Sequence, residues 1–143
     1  MSEHAEQVML FQLCDLARGR YPELKLLHAI PNAGGYTGGF RSNVVRAQRM
    51  KAEGVRSGVP DVHLPVPRGG YASLYIEMKR EKLRPTKTKG VQRDRTKTTA
   101  EQDAWIEGLR KVGNRVEVCY TADKAWEVIE GYLNDYPTGG GAE

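Results

Sequence analysis

A chain of 143 residues is long enough for one domain with a modest core and too short for several. No stretch reaches the apolar length of a membrane span, and the polar, acidic start MSEHAEQ is unlike a signal peptide. The expectation is therefore a cytoplasmic protein with no membrane partner. The net charge of +4 is mildly basic and by itself weak support for a nucleic-acid partner. Cys14 and Cys119 lie far apart without metal-ligand spacing and read as buried thiols of a reducing compartment.

Glu3 to Arg18 reads as a helix capped by Ser2 and ended by Gly19, with a broad apolar face from Val8 to Ala17. Glu3 and Gln7 stand in line with Leu10 and Cys14, so they approach the core from its polar edge. Glu3 and Glu6 equally complement the helix dipole. Leu24 to Ile30 reads as a short strand, and Pro31 to Gly39 as a glycine-rich connector that could also bring backbone amides to a phosphate. Asn43 to Glu53 reads as a helix made basic by Arg46, Arg49 and Lys51, and Gly54 ends it. Arg80 to Thr98 reads as a mobile basic loop, either a DNA clamp or a solvated linker. Its cations include Arg80, Lys82, Lys87, Lys89, Arg93, Arg95 and Lys97. A helix follows over Thr99 to Val112, with Trp105, Ile106, Leu109 and Val112 inward. Then come a strand at Arg115 to Tyr120 and a last helix at Ala122 to Leu133. Tyr136 to Glu143 should fray. The order of elements is α/β, with a mixed central sheet flanked by helices. Residues 1–136 read as a single domain and 137–143 as a flexible tail.

Gly58 to Lys79 is the stretch with chemistry in it. The turn Gly58-Val59-Pro60 delivers Asp61 at the head of a short apolar run. After a Pro/Gly turn, Ala72 to Lys79 alternates as a strand. Leu74, Ile76 and Met78 take one face, and Ser73, Tyr75, Glu77 and Lys79 take the other. Two such strands, paired, set Asp61 beside Glu77 with Lys79 on the same face. Paired carboxylates suit a hard divalent cation that bridges to phosphate oxygens, and a nearby ammonium can steady developing negative charge. That is a plausible arrangement for phosphodiester hydrolysis. His63 shares the face of Asp61 and reads as a half-exposed histidine rather than a ligand. Taken singly, each residue also fits an ordinary strand face. The ordered set of P-D, hairpin and E-x-K is what points to chemistry.

Pro60-Asp61 followed by Glu77-Met78-Lys79 resembles the PD-(D/E)xK nuclease signature. The fuller strings Gly58-Val59-Pro60-Asp61 and Ile76-Glu77-Met78-Lys79 resemble its VRR-NUC branch, in the compact stand-alone form of phage and bacteria. The likeness runs from about Glu3 to about Leu133. It takes in the E-x-x-x-Q helix, Ile30-Pro31-Asn32 and the Gln102 helix. The resemblance implies a restriction-endonuclease-like fold and Mg²⁺ or Mn²⁺ held by Asp61, Glu77 and the Met78 carbonyl. A first-helix acid completes that metal set; the family pattern maps it to Glu3, with Glu6 the close alternative. It also implies catalysis by Lys79 with help from Gln102. Thr99-x-x-Gln102 fits a capping box as well, so the two uses of Gln102 compete. The implied protein is a homodimeric endonuclease resolving four-way DNA junctions in a bacterial or phage-infected cell. DNA is gripped by the Arg80–Lys97 cations and by Arg46 and Arg49. A flap- or nick-directed nuclease and a catalytically idle DNA-binding module are the alternatives.

Overall fold

The computed structural model describes residues 1–32 and 40–138, with the side chains of Phe40 and Arg41 left undescribed. Most of the glycine-rich stretch at 33–39, and the last five residues, lie outside the described residues. The elements in order are α1 (Glu3–Leu16), a 3-10 helix (Pro22–Leu26), β1 (His28–Ala29), α2 (Phe40–Ala52), β2 (Val62–Leu64), β3 (Leu74–Met78), β4 (Glu81–Thr86), β5 (Gly90–Arg95), α3 (Ala100–Lys111), β6 (Arg115–Cys119) and α4 (Ala122–Leu133). Among the described residues, no helix is long and apolar enough to cross a membrane.

The main sheet has strand order β1-β2-β3-β6. β1, β2 and β3 pair antiparallel, and β3 and β6 pair parallel. The sheet is therefore mixed, as expected. One face carries Val62, Leu64, Leu74, Ile76, Met78 and Cys119 into the main core, where Leu10 and Cys14 of α1 and Ala125, Ile129 and Leu133 of α4 close over them. Burying these side chains is the main stabilising contribution, at roughly 25 cal/mol per Å² of apolar surface. The buried Tyr132 keeps its polar end satisfied, its hydroxyl donating to the Val66 carbonyl at 2.6 Å. Both cysteines are free and buried, and burial pushes the thiols up to about 12 for Cys14 and about 11 for Cys119.

α3 covers part of the opposite face. Its Ile106 is buried and its Arg110 donates to the Val116 carbonyl at 2.7 Å. Gly58 makes this packing possible. It sits at φ +93°, and a Cβ there would stand 2.9 Å from the Glu101 backbone. The turn into the Asp61 strand can thus lie directly against the start of α3.

Several sequence expectations are corrected. Leu24 to Ile30 is not one strand: Pro22 starts a 3-10 helix that buries Leu24, and only His28–Ala29 pairs. Leu16 and Val112 are exposed at 86% and 73%, because each falls off the inward stripe at the end of its helix. α2 begins at Phe40 rather than Asn43. The mobile loop expected at Arg80–Thr98 is a two-stranded antiparallel hairpin, β4-β5, outside the main sheet. Fraying does not begin at Tyr136. The Tyr136 carbonyl accepts from Gly69 N–H at 2.8 Å, and the Thr138 hydroxyl accepts from Gly70 N–H at 2.8 Å.

Candidate active site

The pairing of β2 with β3 sets the register Val62↔Ile76, which brings Asp61, one residue before β2, opposite Glu77. Asp61 is fixed there by its own backbone and side chain. Its carbonyl accepts from Ile30 N–H at 2.7 Å and its Oδ2 from Met78 N–H at 2.8 Å. Buried Pro60 immediately before it holds the turn. Glu77 is 2% exposed and Lys79 6%, so both lie deep for charged residues. Lys79 Nζ stands 4.0 Å from Glu77 Oε1. Its backbone N–H donates to the Cys119 carbonyl at 2.9 Å, which ties the end of β3 to β6.

The two carboxyl groups stand close enough for each to shift the other's proton affinity. Burial, then the Asp61 charge, pushes the Glu77 carboxyl up to about 8, against the opposing pull of Lys79. Burial also raises Asp61, offset by the Met78 N–H, Glu77 and Lys79. Two acids so close in shielded surroundings resist ionising together even with Lys79 nearby, and a further positive charge would relieve that. Glu77 Oε2 is a buried oxygen with no hydrogen-bond partner, which ordinarily marks a missing ligand or proton. The hard oxygen donors of Asp61, Glu77 and the Met78 carbonyl fit a divalent cation such as Mg²⁺ or Mn²⁺. Among the described residues, no group of three or more His, Cys, Asp or Glu is already gathered around one point. The carboxylate pair would need a third acid, water or phosphate to complete a shell.

The two first-helix acids have different surroundings. Glu6 Oε2 accepts from the Ala122 N–H at 2.6 Å, so this carboxylate caps the start of α4. Glu3 is exposed, yet its charge reaches the pocket and adds to the upward push on Glu77. Gln102 uses both ends of its amide. Its Oε1 accepts from Thr99 N–H at 2.9 Å, closing the capping box, while its Nε2 donates to Glu77 Oε1 at 3.1 Å. The uses do not compete, because the amide has two ends.

Sequence reasoning left His63 and Tyr75 as ordinary strand residues. Their rings stack at 4.0 Å beside the acids, and His63 Nε2 lies 3.0 Å from Ser73 Oγ. The signal was the shared alternation of Asp61/His63 and Tyr75/Glu77. The cations expected to face DNA divide between two elements. Lys82, Arg84, Lys87, Lys89, Arg93 and Arg95 lie on the β4-β5 hairpin, with Arg80 and Lys97 at its base, while Arg46 and Arg49 are exposed on α2.

A mixed sheet with helices on its faces, and Asp61, Glu77 and Lys79 convergent at one point, define the class first: a nuclease core of the PD-(D/E)xK type. The profile of the VRR-NUC domain matches residues 38–123, more than half of the sequence, and the chain belongs to the VRR-NUC family. A solved structure described as a VRR_NUC domain protein superposes with a TM-score of 0.67 at 24% identity. The match covers 95% of this chain and 93% of that one, and it shows the shared fold. No curated protein matches the chain.

Proposed function

We propose that the protein is a metal-dependent DNA endonuclease acting on branched DNA, four-way junctions above all, as a homodimer, and that residues 1–136 act as its single nuclease domain. VRR-NUC membership implies a nuclease and DNA as its substrate. The observation that carries the metal-dependent nuclease reading is buried Glu77 beside half-buried Asp61, with an unpartnered carboxylate oxygen on Glu77 and Lys79 next to it. Binding alone has no use for so costly a burial of charge.

The roles follow from position. Asp61, Glu77 and the Met78 carbonyl would hold the cation, with Glu3 as the proposed third acid. When bound, Mg²⁺ or Mn²⁺ would supply positive charge to the phosphate oxygens. Lys79 orients the attacking water and stabilises charge growing on the phosphate, because its ammonium cannot swing into solvent. Gln102 donates to Glu77 and so keeps Oε1 aimed while leaving Oε2 open. Hairpin and α2 cations grip the phosphate backbone without reading bases.

The test is cleavage of four-way junction, flap and linear duplex substrates with Mg²⁺, Mn²⁺ or EDTA. The reading expects metal-dependent cutting with the junction preferred. Cutting in EDTA would refute the metal role, and equal cutting of all three substrates would refute the junction preference.

A further inference from the structure

The β4-β5 hairpin carries an apolar face that the fold leaves uncovered. Alternation places Glu81, Leu83 and Pro85 on one side of β4, opposite Arg95, Arg93 and Val91 of β5. Leu83 and Val91 are 67% and 65% exposed, and Pro85 is exposed between them. Pro85 and Val91 are direct cross-strand partners and Leu83 is the next residue along that face. The three therefore form a continuous patch, unlike the scattered apolar side chains of ordinary surfaces. A protein-docking strand of this kind would be expected to carry little charge around it. Here the surroundings are strongly cationic. Six cations stand on Glu81–Arg95 against Glu81 and Asp94, so the hairpin alone carries a charge equal to the +4 of the whole chain.

The base of the hairpin is rigidly held. Glu81 bridges Arg93 at 3.5 Å and Arg95 at 3.2 Å, and the Arg95 guanidinium lies 4.8 Å from the Tyr120 ring centroid. At the other end a tight turn is closed by the Thr86 hydroxyl donating to the Gly90 carbonyl at 2.7 Å. Leu83 follows Lys79 by four residues, so at strand rise it lies at most about 13 Å away. An apolar patch is thus carried on a paired, polycationic arm anchored at its base near Lys79.

We infer that the Leu83–Pro85–Val91 face is a wedge that inserts against unstacked bases at the branch point of the DNA. Apolar Leu and Pro side chains between base steps are a known means of unstacking, and the flanking cations supply the backbone grip. A branch point costs less to open than continuous duplex, so the wedge makes branched DNA the preferred ligand. This rests on the DNA-nuclease reading above and supplies its means of substrate selection.

The test uses a four-way junction with 2-aminopurine, whose fluorescence rises on unstacking, placed beside the branch point. Binding is measured in EDTA, so no cleavage intervenes. The probe proteins are wild type and L83T/V91T, in which threonine removes the apolar surface but keeps β propensity. Wild type should raise the fluorescence several-fold on the junction and leave a linear duplex unchanged. The variant should lose that rise and about tenfold of its junction-over-duplex preference, with duplex affinity, salt slope and sedimentation mass unchanged. A wild type that leaves the fluorescence at the free-junction level, or a variant equal to wild type, overturns the wedge. A variant that falls to a smaller oligomer also overturns it, since the patch is then a subunit contact. Because fluorescence is read without metal, a wedge signal with no metal-dependent cleavage would sink the nuclease reading instead, and the reverse result would sink only the wedge.

Discussion

Glu77 is buried at a cost that the fold alone does not recover. Its carboxyl is shielded beside a second acid, and its ordinary value of 4.5 is raised to about 8. A group held higher in the folded chain than in the unfolded one binds its proton more tightly when folded. Its stabilising contribution is therefore complete below about 4.5 and is lost as pH rises through about 8. Without divalent cation, thermal stability should fall as pH rises from about 4.5 to about 8 in wild type and much less in Glu77→Gln, measured by calorimetry. A cation must displace that proton, so Mg²⁺ affinity by titration calorimetry should climb with pH up to about 8. A flat Mg²⁺ affinity across that range would contradict the protonated pair. The first-helix acids separate by a different pair of readouts. Glu6→Ala removes the cap on Ala122 and should cost about 1–2 kcal/mol of stability. Glu3→Ala should leave the melting temperature unchanged and lower the cleavage rate. Activity lost in Glu6→Ala at full stability, with Glu3→Ala unaffected, would reverse the roles.

At the scale of elements, the site depends on Gly58 as much as on the residues that do chemistry. Any Cβ there meets the Glu101 backbone and forces an unfavourable positive φ. Gly58→Ala should destabilise the protein by about 1–3 kcal/mol and slow cleavage, because the start of α3 must move and Gln102 with it. Unfolding and single-turnover cleavage measure the two effects, and a Gly58→Ala protein equal to wild type in both would show that α3 can shift freely. The Asp61–Glu77 adjacency was readable in the sequence because strand period fixes faces and the register follows from the turn. β1 was overread because LKLLHAI is apolar enough for a strand, yet Pro22 and the burial of Leu24 favour a 3-10 turn. The hairpin was missed for a different reason. Its alternation is written in charges, as Glu81 with Arg93 and Arg95 and Arg84 with Asp94 at 2.9 Å, rather than in apolar residues. Cross-strand ion pairs and the Gly90 turn at φ +69° hold it together without a buried face. Nothing in local sequence told that the Glu6 carboxylate reaches α4, since that contact joins residues 116 positions apart.

Over the whole molecule, cation placement and site burial divide the work. On the proposed reading, the exposed cations of the hairpin and α2 grip DNA, while hydrolysis belongs to Asp61, Glu77 and Lys79. Neutralising Lys87, Lys89, Arg93 and Arg95 together should weaken DNA binding and flatten its dependence on salt, by close to one unit of slope per lost phosphate contact. Arg93 and Arg95 are already paired with Glu81, so their share should be smaller than that of Lys87 and Lys89. Identical salt slopes for variant and wild type would remove the hairpin from the interface. The carboxylate pair should survive that change, and cleavage should return at high protein concentration. The most direct measurement of the central claim is single-turnover cleavage of a four-way junction in Mg²⁺, with DNA fully bound, for wild type, Asp61→Ala and Lys79→Ala. Both variants should bind the junction as wild type does and cut it at least about a thousandfold more slowly; either one cutting at the wild-type rate would mean that the chemistry lies elsewhere.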